Sequence, residues 1–466
     1  MTDTTQMDMT SPGPRISGHR HGAWFAEARE TLRLAMPLVA TQLAQMAILA
    51  TDTVMLGHLS PAALAAAALG NTFLFLTWMM GCGPANAVSP IIAQALGADA
   101  NDTDGVRAAV RMGLWATVLM MPLLMGILLF TRPILLLIGE DEKLASDAGL
   151  YMSTLCFVLP TAVAFQVLRN FATAVSRPVG PMIVMVLAVI FNAAGDYALI
   201  FGHFGAPRLG IIGAGVASSL SNLFSLTAMA AIIALTPALR RYHITRSFWT
   251  PDWVKLRELF RLGVPIGLTT IFEVMLFNSA TLMMGLFGTA TLAAHQIALT
   301  IPSITFMVPL GIGLAATVRV GLAAGADDMV AARRAGFVAM AIATLFMTFS
   351  SLFLLLFPET IARLWIPGGD AEVIAFTVTF LSVAALFQVA DGLQVTSAMA
   401  LRGLKDARAP MWIAGASYWL VGFPTCVALG FWFNLAGFGV WIGLAFGLFV
   451  AATLLTARFV WLSKVR

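Results

Sequence analysis

Charged residues are scarce in this chain. Only 11% of its 466 residues are Asp, Glu, Lys or Arg, less than half of the roughly 25% in an ordinary soluble domain, while 59% are hydrophobic. So little charge cannot cover a water-facing surface, which excludes a soluble globular protein. The four lysines, Lys143, Lys255, Lys405 and Lys464, are none of them followed by Ser or Thr, so no Walker-type phosphate loop exists. No histidine precedes a Glu, which removes the zinc-protease motif. The three cysteines, Cys82, Cys156 and Cys426, lie far apart in apolar stretches and read as packing residues rather than a disulfide or metal set. Gly213-Ala214-Gly215 is a partial glycine fingerprint that follows no strand, and it reads as a helix-packing contact. Neither a nucleotide nor a nucleic acid is expected as a partner. The net charge of +4 belongs to basic residues that, in a polytopic protein, set orientation.

What is abundant is apolar sequence in long unbroken runs. A hydrocarbon core roughly 30 Å thick needs about 20 apolar residues per helical span. Twelve such runs start near residues 32, 62, 107, 148, 179, 210, 257, 290, 333, 372, 409 and 436. Their continuity, without the short alternation of a barrel strand, predicts an all-α polytopic membrane protein. With the N-terminus inside, 23 of the 27 Lys and Arg residues fall on the cytoplasmic side, and only Arg132, Lys143, Arg208 and Arg363 fall outside. A missing span would invert every later loop and mix the two sets, so both the count and cytoplasmic termini are expected. Residues 1–22, polar and carrying Pro12, Gly13 and Pro14, are expected as a disordered cytoplasmic tail. Residues 23–237 form an N-lobe, 238–256 a cytoplasmic linker, and 257–466 a C-lobe.

The two halves repeat. A shift of 228 residues aligns them without a gap over some 65 positions, placing Pro37 on Pro265, Gly57 on Gly285 and Gly97-Ala98-Asp99 on Gly325-Ala326-Asp327. Each half holds six spans, so both enter the membrane in the same direction, related by a pseudo-two-fold axis along the membrane normal. Parallel repeats of this kind recur in secondary transporters, with the pathway between the halves.

Four carboxylates lie inside predicted spans: Asp52, Asp196, Glu273 and Asp391. Each would cost about 2.5 to 3.5 kcal/mol at a helix centre, so lipid exposure is disfavoured and an interior cavity is expected. Asn192 and Asp196 are four residues apart on one face of span 5, and Asp52 of span 1 completes an oxygen-rich cation site. In span 10, Gln388, Asp391 and Gln394 share a face, with Glu273 of span 7 as partner. The repeat sets Gln45 opposite Glu273, so the halves keep charge in different places. The plain alternative is structural pairing across helices, which the absence of a basic residue from any span centre weakens. Burial favours a protonated carboxylate and a bound metal ion favours the ionised one, so proton and sodium compete for such groups. His295 reads as a packing histidine. The 25 Met and 32 Phe residues mostly pack helices or face lipid, and the remainder suit a permissive pocket for organic cations.

Several stretches resemble the multidrug and toxic compound extrusion (MATE) family, in its NorM-like branch. They are Thr51-Asp52-Thr53-Val54-Met55 with Gly57, Leu262-Gly263-Val264-Pro265 with Phe272-Glu273, Ala293-Ala294-His295-Gln296, Arg402-Gly403 with Lys405-Asp406, and Tyr418-Trp419 with Gly422 and Pro424. The resemblance implies a twelve-helix, two-lobed exporter that exchanges cationic amphiphilic drugs, dyes and antibiotics among them, for inward-moving sodium ions or protons. It carries the C-lobe cation-coupling role to Glu273 and Asp391, and the N-lobe polar site to Asp52, Asn192 and Asp196, with Ser218 where the family often has Thr. Phe387, four residues before Asp391, stands where close relatives often have Tyr and offers only a ring face to a cation. Asp196 stands where some members have Asn.

The expectation is therefore a monomeric antiporter of the bacterial inner membrane, with sodium or proton as coupling ion, no other cofactor and no catalytic residues. Two readings stay open beside it: a lipid-linked oligosaccharide flippase of the same wider superfamily, and a membrane-embedded enzyme.

Overall fold

The computed structural model describes residues 20–365 and 370–464, and among these every regular element is helical. The first three helices are long: α1 (Arg20–Leu59), α2 (Pro61–Ala98) and α3 (Thr103–Leu129). A short α4 (Thr131–Ile138) leads into α5 (Glu142–Leu155) and α6 (Val158–Ala174), two pieces of one span bent by 41°. The break has a local cause, because Pro160 has no N–H to offer the carbonyl of Cys156. Then come α7 (Val179–Phe201), α8 (Ile211–Leu235) and the single turn α9 (Pro237–Arg240).

The second half repeats the order with α10 (Trp253–Leu286), α11 (Thr289–Gly325), α12 (Met329–Leu356), the short α13 (Pro358–Trp365) and α14 (Ala371–Gly403). The eleventh span joins α15 (Arg408–Gly415) and α16 (Phe423–Val427) through π-helical turns at Ala416–Gly422 and Ala428–Trp432, and α17 (Ala436–Leu462) closes the fold. Eleven helices are long and apolar enough to cross a membrane, and the bent pair α5/α6 makes the twelfth. The protein is a multi-pass membrane protein of two six-span lobes.

Two boundaries differ from expectation. Residues 1–19 of the expected tail lie outside the described residues, but Arg20 to Gly22 already belong to α1, which starts well before its apolar run. At 40 residues α1 is about 60 Å long, so its polar first turns stand beyond the hydrocarbon. The linker is also shorter than 238–256, since α10 begins at Trp253. Nor is it loose: Arg107 Nε donates to the Tyr242 carbonyl at 3.0 Å, Arg111 Nη1 to that of Ser247 at 3.0 Å, and Trp115 Nε1 to that of Phe248 at 2.9 Å. Loop acids are used as caps, with Asp102, Asp252 and Asp328 each accepting from the backbone N–H three residues on.

The repeat is visible in the packing. A Cβ placed on Gly57 would meet Leu64 Cδ2 at 3.9 Å in the first half, and one placed on Gly285 would meet Leu292 Cδ2 at 3.9 Å in the second, an environment reproduced at the 228-residue offset. Between the halves contacts are exchanged rather than copied. Gly97 abuts the Leu322 carbonyl while Gly325 abuts that of Gln94, and no Cβ fits at either glycine. Gly83 lies against Gly263 and Gly267, and Gly311 against Val39. Each exchange is what a two-fold axis between the halves produces.

Each half has its own apolar core, but the starts of α1 and α10 cross over. Leu256, Leu259, Leu262 and Ile266 of α10 pack in the first half's core, whereas Leu276, Ala280 and Met284 of the same helix pack in the second. Leu34, Ala35 and Leu38 of α1 pack on Ile312, Ala315 and Ala339 of the second half. The seam is fastened on the side of the termini, where Arg319 Nε and Nη2 donate to Glu27 Oε1 and Oε2 at 2.8 and 2.7 Å. Gln94 Nε2 also donates to the Gly403 carbonyl at 2.8 Å.

Candidate functional site

Two clusters of carboxylates within the spans stand apart, one in each half, with Asp52, Asp196 and Asp391 buried and Glu273 half-buried. In the first half α1, α7 and α8 bring together Asp52, Asn192, Asp196 and Ser218, all of them buried. The four-residue spacing of Asn192 and Asp196 puts them on one face of α7, and that face meets α1. Ser218 Oγ donates to Asp52 Oδ2 at 2.9 Å, while Asp196 and Asn192 adjoin the same carboxyl group. The other Asp52 oxygen, both Asp196 oxygens and both Asn192 amide atoms have no hydrogen-bond partner among the described residues. Asp196 is 0% exposed, so these are buried oxygens without donors. Asn71 and the buried Tyr151 flank the cluster. Neither was singled out in the sequence, because a lone Tyr or Asn in an apolar run carries no spacing signal.

In the second half Glu273 of α10 and Asp391 of α14 lie within electrostatic reach of one another, with Gln394 adjoining Glu273. Asp391 Oδ1 and Gln394 Oε1 lack partners. Tyr418 joins them from the π-helical turn. It is 0% exposed, its hydroxyl is unpaired, and it lies within electrostatic reach of both carboxylates. Its motif was legible, but its place at the site was not. A π turn adds a residue to the helical repeat and rotates the side chains beyond it, a device frequent at functional sites.

Two expected members point elsewhere. Gln388 Nε2 donates to Thr305 Oγ1 of α11 at 2.7 Å, so that amide ties α14 to α11. Phe387 stacks on Trp441, with ring centroids 5.7 Å apart, inside the apolar core, so one ring face is covered by an indole. His295 packs as expected, edge-on to Trp441 and bonded through Nε2 to Thr281 Oγ1 at 3.0 Å. Among the described residues no three His, Cys, Asp or Glu side chains are placed to hold a metal ion. A cation at either cluster would rely on amide and hydroxyl oxygens beside its two carboxylates.

One expectation is overturned. Span interiors do hold a basic residue: Arg169 of α6 is 4% exposed, and its Nη1 donates to Gln42 Oε1 at 2.9 Å and Gln45 Oε1 at 3.1 Å. In the sequence it stands five residues from the end of α6 and counts as a loop charge; helix packing puts it inside.

With the two clusters set in two halves related by exchange, comparison with known proteins decides the family. The MatE family model matches the chain twice, over residues 37–198 and 265–428, with starts that differ by the repeat offset of 228. The chain belongs to the MatE family. It is 43% identical over 446 residues to the probable multidrug resistance protein NorM of Mesorhizobium japonicum, covering 95% of each chain. A protein of the same name from Pseudomonas putida is 39% identical, covering 95% of this chain and 96% of that one. Among solved structures, the eukaryotic MATE transporter AtDTX14 superposes with a TM-score of 0.84 at 23% identity, covering 94% of this chain and 96% of that one. The Vibrio cholerae MATE transporter VcmN in its bent form gives 0.84 at 19%, covering 95% and 98%. The fold is that of MATE transporters, and none of these relatives is named as an enzyme.

Proposed function

We propose that this MatE-family chain is a multidrug exporter, an antiporter that expels cationic amphiphilic compounds in exchange for inward-moving sodium ions or protons. The observation that carries the reading is the pair Asp52 and Asp196, buried side by side with three of their four oxygens unpaired. Two unit charges 4 Å apart repel by about 4 kcal/mol at an effective dielectric of 20, so such a pair needs a proton or a cation between its members. Glu273 and Asp391 pose the same demand in the other half. Asp52 and Asp196, which must be neutralised and have no basic group beside them, are suited to an exchangeable ion rather than to a fixed salt bridge, whereas Glu273 also has Arg402 within electrostatic reach.

The exchange runs by alternating access. In the conformation described, the halves are fastened on the side of the termini by Glu27 and Arg319. With both termini in the cytoplasm of a bacterial inner-membrane protein, that is the cytoplasmic side, and the fastened seam fits the step of the cycle in which the ion is admitted and the drug released on the opposite side. An inward-negative potential assists, since one charge is worth about 2.3 kcal/mol per 100 mV. The chain works as a monomer and needs no cofactor beyond the ion.

The test is ethidium efflux from proteoliposomes under an imposed sodium gradient, then a proton gradient, for wild type and for Asp52→Asn, Glu273→Gln and Asp391→Asn. Sodium-driven efflux lost in the last two variants places coupling in the second half. Proton-driven efflux lost mainly in Asp52→Asn places it in the first. Efflux under neither gradient refutes the proposal.

A further inference from the structure

Arg169 is a buried cation for which the described residues provide no anion. Its two partners are the neutral amides of Gln42 and Gln45, both bonded to Nη1. Among the described residues its hydrogen bonds run through Nη1 alone, Nε and Nη2 are not among the fully buried unpaired atoms, and no carboxylate pairs with it. An arginine stays charged at any physiological pH, and a charge taken out of water must be compensated.

The surroundings are built to hold this guanidinium in place. Gln166 and Asn170 flank it on α6 at three-before and one-after spacing, and both are buried. Their amides donate to Asn86 Oδ1 of α2 at 2.8 and 3.2 Å, and Asn170 also donates to the Ala85 carbonyl at 2.8 Å. This locks α6 to α2 while Arg169 reaches across to α1. Gln42, Gln45 and Asp52 follow one another on α1 at spacings of three and seven, so they share a face. At 1.5 Å per residue Gln45 and Asp52 are about 10 Å apart along the helix. One wall of the first half therefore carries carboxylates toward one end and an uncompensated guanidinium toward the other.

The repeat sharpens the contrast. The position equivalent to Gln45 is Glu273, and Glu273 lies within electrostatic reach of Arg402, so the second half supplies its own anion. The first half has an amide there instead.

We propose that Arg169, collared by Gln42 and Gln45, is an anion subsite that takes the carboxylate of a zwitterionic amphiphile whose cationic end faces Asp52 and Asp196. A planar guanidinium with free N–H groups matches a carboxylate, which accepts two parallel hydrogen bonds. The subsite widens the proposed substrate class from organic cations to amphiphiles that also carry an acid group, and it rests on the drug-export reading.

The test measures binding of rhodamine B, which carries a carboxylate beside a delocalised cation, and of its ethyl ester, by fluorescence anisotropy with purified protein in lipid nanodiscs and chloride-free buffer. Arg169→Gln is expected to weaken rhodamine B by about tenfold or more and to leave the ester unchanged. Gln45→Glu keeps the arginine and its packing but supplies an internal anion, and it is expected to have the same selective effect. Equal weakening of both dyes would mean that Arg169 only braces helices, and no change in either would mean that it faces no ligand; both results overturn the subsite. A chloride-dependent signal lost in Arg169→Gln, with no preference between the dyes, would assign the guanidinium to inorganic anions and overturn it too. Wild type that binds the ester but not rhodamine B leaves the export reading standing and removes the subsite, whereas wild type that binds neither dye removes both.

Discussion

Gly97 and Gly325 occupy equivalent places in the two halves, and each rests against the carbonyl of the residue three before the other. Of the glycine contacts across the seam, this exchange leaves the least room for a Cβ. Gly97→Ala or Gly325→Ala would force a methyl group into a backbone carbonyl, and overpacking of that kind costs about 1 to 3 kcal/mol. Gly57→Ala, whose nearest neighbour is 3.9 Å away, is expected to be silent. Thermal unfolding of the three variants in detergent checks the order, and equal melting points would contradict the seam contact.

The second fastening is electrostatic. Glu27 and Arg319 form a two-point ion pair in which the Glu side chain is 7% exposed. The repeat does not reproduce it across the seam, because Lys255 stands where Glu27 stands, Ile91 where Arg319 stands, and Lys255 pairs with Glu258 on its own helix. Glu27→Gln is therefore expected to loosen the terminal side by about 1.5 to 3 kcal/mol, the worth of hydrogen bonds to a charged group. Labelling of a cysteine placed at Gln94 by a membrane-impermeant reagent should accelerate in Glu27→Gln and return to the wild-type rate in the charge swap Glu27→Arg with Arg319→Glu. An unchanged rate would show that the pair does not hold the seam.

Asp196 gives a prediction of opposite sign. Its two oxygens have no donor, and in Asp196→Asn an amide would offer Asp52 a hydrogen in place of a second acceptor. The variant should be more stable than wild type by about 1 to 3 kcal/mol while losing ion-driven efflux, a trade of function for stability. A lower melting point would reveal a structural partner for Asp196.

Phe387→Tyr separates the family pattern from the packing in this chain. If position 387 lined a cation site, a hydroxyl would strengthen ion binding. Phe387 is instead stacked on Trp441 in an apolar core, where an added hydroxyl without a partner costs about 1 to 3 kcal/mol. Destabilisation without a gain in ion affinity, read by thermal unfolding with and without sodium, is the expected outcome.

Much of this was legible in the sequence. Span count and repeat follow from apolar runs and a fixed offset, and the offset reappears as exchanged glycine contacts. Asn192 and Asp196 could be set on one face because helical spacing is local, and Asp52 joined them because an intramembrane acid has few places to go. Residues whose role depends on what another helix presents were not legible. Arg169 counts as a loop charge until α1 and α2 pack around it. Tyr151 and Tyr418 look like packing aromatics until the fold brings them within electrostatic reach of the carboxylates. Phe387 was placed at the site by its neighbour Asp391, but Trp441, 54 residues further on, decides where its ring goes.

The crossed starts of α1 and α10 bear on how the lobes can move. The first turns of α10, through Ile266, are anchored among the side chains of the first half and the residues from Leu276 on among those of the second, with Pro265 just before the change. Helix α1 does the reverse, with Leu34 to Val39 against the second half, Ala44 and Leu56 in the first, and Pro37 just before the change. The joint of the molecule is thus not the docked linker but two helices, each held at both ends by opposite bodies like the arms of scissors. Rocking one half against the other has to flex both arms at their prolines, where a missing backbone hydrogen bond makes bending easiest.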